Sequence, residues 1–294
     1  MGRTTNKQRR DQQAASARER AAAARAEQKR QEQRRRAITI IGSVVGVAVV
    51  VVVIAIVAIT HKSSTNTTSG NRAVASAAVV SDVTSVPAAT LSKVGAGPVT
   101  AFPSPVSGQP PLTSGGKPEM LFIGAEFCPY CAAERWSMAV ALSRFGTLNG
   151  FDTVSSSSTD VDPNTPSLDF DKYHYTSKYL TFTAVENEDR NHNALQKTTT
   201  AQDALWTKID GSPSYPFVDF GNKSAITGPS FDPATLKGLT QAQIASQLKN
   251  PTGKVSQAIN GAANVITAAI CQMTNNQPAN VCASVIPLQA KFGA

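Results

Sequence analysis

Between Ala37 and Thr60 the chain runs for 24 residues without a charged side chain, most of them Val, Ile and Ala. As a helix this run would extend roughly 36 Å at about 1.5 Å per residue, enough to cross a bilayer. Arg34-Arg35-Arg36 precede it, and only His61 and Lys62 follow before a neutral Ser/Thr tract. The positive-inside rule therefore predicts a cytoplasmic N-terminus, one transmembrane helix over 37–60 and an extracytoplasmic remainder, in a single-pass protein of the cell membrane. A cleaved signal peptide is the competing reading, but a 36-residue basic leader and a long apolar core fit an uncleaved anchor better.

The same segment sorts the charge. Over 294 residues the formal net charge is +8, yet residues 1–36 hold 12 basic and 4 acidic side chains, leaving 16 of each for the rest. A nucleic-acid footprint lies on a folded domain, and here that part is neutral, so nucleic acid is not an expected partner. The arm over 1–36, rich in Arg, Gln, Ala and Glu, reads as a solvated cytoplasmic arm, and attraction to anionic lipid headgroups is the functional alternative that rests on the same arginines. Residues 61–116 carry Ser/Thr, Gly and Pro clusters and read as a linker and N-terminal extension, in which the apolar patch 73–94 docks as a short helix. Hydrophobic residues make up 41% of the chain, enough for a buried core in a domain over 117–294.

Four cysteines, Cys128, Cys131, Cys271 and Cys282, fall on the side of the membrane where disulfides persist. Four sulfurs allow three connectivities, and spacing pairs them as neighbours. Ten residues separate Cys271 from Cys282, among them Asn275-Asn276-Gln277-Pro278, a turn between the helix-like segments 262–273 and 281–290. This pair reads as a structural disulfide, with an expected stabilisation of about 2–3 kcal/mol. A redox relay between the two pairs is the competing reading, and it requires access and an activated thiol.

Cys128-Pro129-Tyr130-Cys131 sits where a strand hands over to a helix. Upstream, Met120-Leu121-Phe122-Ile123 suits a buried strand. Downstream, 132–145 carries Trp136, Met138, Val140, Leu142 and Phe145 among strong helix formers, with Arg144 in the last turn and Gly146 as the expected C-terminal cap. With Cys128 as N-cap, Pro129 falls at N1, where its missing N–H costs nothing, and the free amide of Cys131 at N3 points back at the cap. Those amides and the helix dipole favour a thiolate and lower the Cys128 pKa below about 8.5, which makes it the attacking sulfur. Cys131, one turn in and buried, is expected to keep a higher pKa and to resolve the mixed disulfide. Zinc would need two further ligands; His61 abuts the span, and His174 and His192 stand in isolated polar surroundings, so no metal or other cofactor is expected.

Ala125-Glu126-Phe127-Cys128-Pro129-Tyr130-Cys131 resembles the Ala-Glu-Trp-Cys-x-x-Cys stretch of thioredoxins, and its Pro-Tyr dipeptide resembles glutaredoxins. More closely, the stretches 116–119, 124–136 and 141–146 resemble the thioredoxin-like family labelled domain of unknown function 929, over about 80–290. The resemblance implies an α/β, thioredoxin-like fold with extra C-terminal helices and a redox site. It also implies a cis-proline beside the reactive sulfur, with the preceding residue's backbone pairing with substrate. Tyr215-Pro216, leading into Phe217-Val218-Asp219-Phe220-Gly221, is the best candidate, and Pro213 the second. Pro129, Tyr130, Tyr215 and Pro216 are then the expected substrate-binding residues.

Two departures stand out. The buried acid of the thioredoxin strand falls on Phe122, and 84 residues separate Cys131 from Pro216, which implies an insertion. Within it 151–157 and 179–185 read as strands. Asp160, Asp162, Asn164 and Asp171 echo a calcium loop, but Thr165 stands where Gly is required, and an acidic turn is the better reading. A short helix over 201–209, a strand near 224–227 and helices from 240 complete the pattern.

These features predict a membrane-anchored, extracytoplasmic thiol:disulfide oxidoreductase, Cys128 attacking and Cys131 resolving, acting on cysteine-containing proteins or peptides with an unidentified redox partner. The alternative is a non-catalytic thioredoxin-fold binding or structural module, or a metal-delivery protein using the same two sulfurs.

Overall fold

The computed structural model describes residues 72–293. The basic arm over 1–36, the expected span over 37–60 and the start of the linker lie outside the described residues. Among the described residues no helix is long and apolar enough to cross a membrane.

The chain enters through the two-residue strand β1 (Ala73–Val74) and the helices α1 (Ala77–Thr84) and α2 (Ala88–Val94). Short strands β2 (Ser104–Pro105) and β3 (Thr113–Ser114) lead into β4 (Lys117–Gly124), which holds the apolar run Met120–Ile123. Helix α3 (Pro129–Leu142) follows. Four short strands, β5 (Gly146–Asn149), β6 (Asp152–Ser155), β7 (Pro166–Asp169) and β8 (His174–Ser177), separate it from β9 (Thr181–Glu186). Helix α4 (Thr200–Asp210), the hairpin of β10 (Phe217–Phe220) and β11 (Ser224–Thr227), and helices α5 (Gln241–Gln247), α6 (Lys254–Met273) and α7 (Ala279–Cys282) complete a mixed α/β fold.

Both edges of β4 are paired. It runs parallel to β9 and antiparallel to β10, with Phe122 opposite Val218 and Ile123 opposite Phe217 in the β10 ladder. β11 and then β2 extend the sheet beyond β10, and β3 forms a hairpin with the start of β4. Successive strand side chains point to opposite faces. Met120 and Phe122 therefore enter the main core with Trp136 of α3 and Ile266 of α6, whereas Leu121 and Ile123 enter a smaller layer with Trp206 of α4 and Phe217. Burial on both faces is what an unbroken apolar run serves in a strand.

The strands between α3 and β9 form two small sheets of their own. β7, β6 and β1 make one antiparallel sheet, and β5 pairs with β8 in another. Gly146, expected to cap α3, instead opens β5. The helix ends at Leu142 with Ser143 as its cap, and a Cβ on Gly146 would strike the carbonyl oxygen of Thr176 across the ladder. Close strand approach, not a helix end, is the reason for that glycine.

Helix α6 starts at Lys254, eight residues before the expected segment, because its polar side chains are satisfied inside the core. Asn260 donates to the Leu248 carbonyl at 2.8 Å and to Ser256 Oγ at 2.8 Å, and Asn264 donates to the Leu91 and Gly95 carbonyls at 2.8 and 2.7 Å. The Asn260 bond to Leu248 ties the end of α5 to α6 and the Asn264 bonds tie α2 to α6, and the bare backbone of Gly261 lets Ala96 and Gly97 lie directly against the helix. Cys271 at the end of α6 is disulfide-bonded to Cys282 of α7, with Cα atoms 5.6 Å apart. The helix-like segment expected from 281 is cut short: α7 stops at Cys282, and a 3-10 turn over Ile286–Lys291 contains Pro287, which has no amide to continue an α-helix.

One buried carboxylate anchors α3 to the loop after β11. Glu134 is fully buried and accepts hydrogen bonds from the Ser230 amide at 2.9 Å and from Ser230 Oγ at 2.8 Å. Burial pushes its carboxyl up to about 7. The folded protein thus holds a proton that the unfolded chain releases near 4.5, so this site's contribution is full below that pH and is lost as pH rises to about 7. Glu134→Gln keeps the neutral hydrogen-bonding pattern at every pH. Relative to wild type it should gain on the order of 3 kcal/mol across that window, read from urea denaturation at its two ends. Replacing Cys271 and Cys282 together by Ala should lower stability by about 3 kcal/mol, measured by the same titration under oxidising conditions.

Candidate active site

Strand β4 ends at Gly124, and Ala125, Glu126 and Phe127 carry the chain to the head of α3. Cys128 is the N-cap, with an extended backbone (φ −74°, ψ 120°), and its sulfur accepts a hydrogen bond from the Cys131 amide at 3.3 Å. Pro129 occupies the first helical position, which suits its fixed φ and missing amide. Cys128 and Cys131 are both free thiols, 4% and 0% exposed. Tyr130 between them is 37% exposed.

The β4–β10 ladder carries a second chain segment to the sulfur. The Tyr215–Pro216 bond is cis, and the Tyr215 carbonyl oxygen lies 4.0 Å from Cys128 Sγ, on the acceptor side of a thiol hydrogen bond. Tyr215 packs edge-on against Phe127 at 6.0 Å between centroids and lies tilted by 31° against Trp206 at 5.3 Å, and its hydroxyl accepts from Asn187 Nδ2 at 2.8 Å. Cys128, Pro129, Tyr130, Cys131, Tyr215 and Pro216 thus meet at one place, although 84 residues separate Cys131 from Pro216. Cys271 and Cys282 are bonded to each other and offer no thiol.

The surroundings push the pKa values of the two sulfurs in opposite directions. The Cys131 thiol, hydrogen-bonded to Cys128, lowers the Cys128 pKa; burial opposes it, and the Cys131 amide and the Arg135 charge add to the lowering. Burial raises Cys131 well above an ordinary thiol, and donation to Cys128 raises it further.

Arg135, which the sequence reading left without a role, is fully buried one helical turn beyond Cys131. Its Nε and Nη2 donate to Glu186 of β9 at 2.7 and 2.6 Å, Nη2 also to the Ala125 carbonyl at 2.8 Å, and Nη1 to Ser167 Oγ at 3.2 Å. The guanidinium lies 5.7 Å from the centroid of the Phe122 ring. A spacing of four from Cys131 is the signal that marks it: both side chains fall on one helix face.

A second cluster borders the turn before Cys128. Glu126 is held by Arg72 and by the Arg190 amide at 3.2 Å, and Arg72 also reaches Asp171 at 2.6 Å and Asp169 at 3.2 Å. Burial pushes the Asp169 carboxyl up to about 7. Asp171 therefore belongs to this network, apart from Asp160, Asp162 and Asn164 in the loop before β7. Among the described residues no group of three or more His, Cys, Asp and Glu converges as a metal site. His192, read from the sequence as isolated, stacks on Phe127 with centroids 4.1 Å apart and faces Glu188 at 3.4 Å.

Fold and site together define a mixed α/β protein with a buried dithiol at the head of a helix. Residues 105–210 match the model of a family described as domain of unknown function (DUF929), a span that includes the Cys-Pro-Tyr-Cys turn and ends before Tyr215. No curated protein and no solved structure matches the chain.

Alkylation of Cys128 should retain its rate to a pH clearly below about 8.5, the midpoint of an ordinary thiol. Cys131→Ala removes the largest lowering influence and should move that midpoint upward, as followed by mass spectrometry of the labelled protein.

Proposed function

We propose that this chain is a thiol:disulfide oxidoreductase of thioredoxin-like fold, anchored in the membrane by residues 37–60 and acting on cysteine-containing proteins or peptides outside the cytoplasm. The observation that carries the reading is the Cys128 sulfur at the head of α3, accepting the Cys131 amide at 3.3 Å with the Tyr215 carbonyl beside it. The order strand β4, helix α3, strand β9, helix α4, hairpin β10–β11, helix α6, with β4 between β9 and β10, supports the fold. β5 to β8 form the insertion, and α7 with the turn after it extends the C-terminus.

The Cys128 thiolate attacks one sulfur of a substrate disulfide. A Cys128–substrate bond forms, the substrate S–S bond breaks, and the released substrate thiolate takes up a proton. Cys131 then attacks Cys128, closing the Cys128–Cys131 disulfide and releasing the second substrate thiol. Two electrons pass to the substrate. The reverse sequence, begun from the oxidised pair, introduces a disulfide into a substrate dithiol, and a separate thiol–disulfide carrier resets the protein in either case. With Cys128 only 4% exposed, the incoming sulfur must approach along the rim of Phe127, Tyr130 and Tyr215. In this reading the Tyr215 backbone beside Pro216 pairs with an extended substrate chain.

Cys131→Ser in the full-length protein should accumulate mixed disulfides with extracytoplasmic proteins, seen as reducible high-mass species, and Cys128→Ser should accumulate none. Absence of any covalent partner in the first variant, with wild-type thiols that do not exchange with glutathione, would leave the non-catalytic module as the remaining reading.

A further inference from the structure

Closure of the Cys128–Cys131 disulfide requires Cys131 to give up its proton inside the protein, where burial favours the neutral thiol. The strand position that the thioredoxin resemblance would fill with an acid holds Phe122, fully buried. Of the two buried charged side chains of α3, Glu134 is taken up by Ser230, while Arg135, four positions beyond Cys131, reaches back to the Ala125 carbonyl and across to Glu186. Residues four apart on a helix have Cβ atoms about 5–6 Å apart, and Cys131 and Arg135 are both 0% exposed.

We infer that the Arg135–Glu186 pair sets the charge environment of the dithiol: the guanidinium stabilises the sulfur anions through its field, and Glu186 holds it in place while offsetting part of its charge. This inference rests on the thiol–disulfide reading of Cys128 and Cys131. Glu186, Ser167 and the Ala125 carbonyl take up the hydrogen bonds of the guanidinium, so it acts on the sulfurs through space. Unlike a carboxylate, it has no lone pair with which to accept the Cys131 proton.

Every charged group around it enters the balance. β9 contributes Glu186, β7 contributes Asp169, the turn before α3 contributes Glu126, and α3 itself contributes Cys131, with Arg72 meeting Glu126 and Asp169. The Arg135 charge lowers the pKa of both sulfurs, and the Ala125 amide acts on Cys131 in the same direction. In the resolving step the Cys131 sulfur bonds to Cys128 and the Cys128–substrate bond breaks. The electron pair leaves on the substrate sulfur, and the Cys131 proton follows it. Negative charge on Cys131 during that step develops one turn from a fixed cation.

A purely structural pair would pin α3 to β9, and its loss would lower stability without a preferred direction for the thiols. A charge-setting pair makes two opposite predictions. In full-length protein, Glu186→Gln leaves the guanidinium less neutralised. It should lower the Cys128 alkylation midpoint by about one pH unit and shift the glutathione equilibrium about tenfold toward the dithiol. The double variant Arg135→Met/Glu186→Met removes both charges and should shift both readouts the other way, and Arg135→Lys should stay closer to wild type than the double variant. Near-ultraviolet circular dichroism verifies folding; if Glu186→Gln does not fold, Arg135→Lys against the double variant decides alone. Folded variants whose midpoints coincide with wild type, or move in one direction together, overturn the charge-setting role. A wild-type protein that does not exchange with glutathione overturns the thiol–disulfide reading itself, and so the two failures are distinguishable.

Discussion

Strand β4 is hydrogen-bonded along both edges and covered on both faces, and the placement of the site follows from that double enclosure. A strand so held has no freedom to tilt, so the turn at its C-terminal end is delivered to a fixed point. The turn leads into α3, whose first free amides need an acceptor. Cys128 supplies it with sulfur. Across the sheet, β10 begins where β4 ends, which brings the Tyr215 carbonyl to the same sulfur.

The charges inside the domain follow a related logic. Arg135 is placed by α3 and satisfied by β9 and β7, so the helix carrying the thiols is joined to the sheet by a buried ion pair as well as by apolar packing. Buried pairs of this kind contribute little net stability against well-packed apolar side chains. The presence of such a pair therefore asks for an explanation other than folding energy, and the neighbouring sulfurs offer one. Glu134, with no cation bonded to it, takes the other route open to a buried acid: burial raises its pKa to about 7 and Ser230 supplies its hydrogen bonds.

Much of the site was legible in the sequence because its signals are local. The apolar run before the cysteines, Pro129 at the first helical position and the apolar strand after Pro216 each lie within a few residues of the feature they announce. The two small sheets were harder to foresee. β7 is Pro-Ser-Leu-Asp, all four buried, and its polar members are accommodated by partners far away in sequence, as Ser167 is by Arg135. The early start of α6 was hidden in the same way, since Asn260 and Asn264 resemble loop residues until the carbonyls of Leu248, Leu91 and Gly95 are known to receive them. Arg135 and Glu186 are 51 positions apart, and only the parallel β4–β9 ladder relates them.

The four-residue ladder between β4 and β10 also acts as a vernier for the two halves of the site. A slip of one position would turn every β10 side chain to the opposite face and carry the Tyr215 carbonyl away from the sulfur by the length of a peptide unit. Phe217, Val218, Asp219 and Phe220 are all buried, so such a misalignment has no solvent-facing alternative in which to settle. Alignment between turn and proline is thereby locked by buried residues of the core.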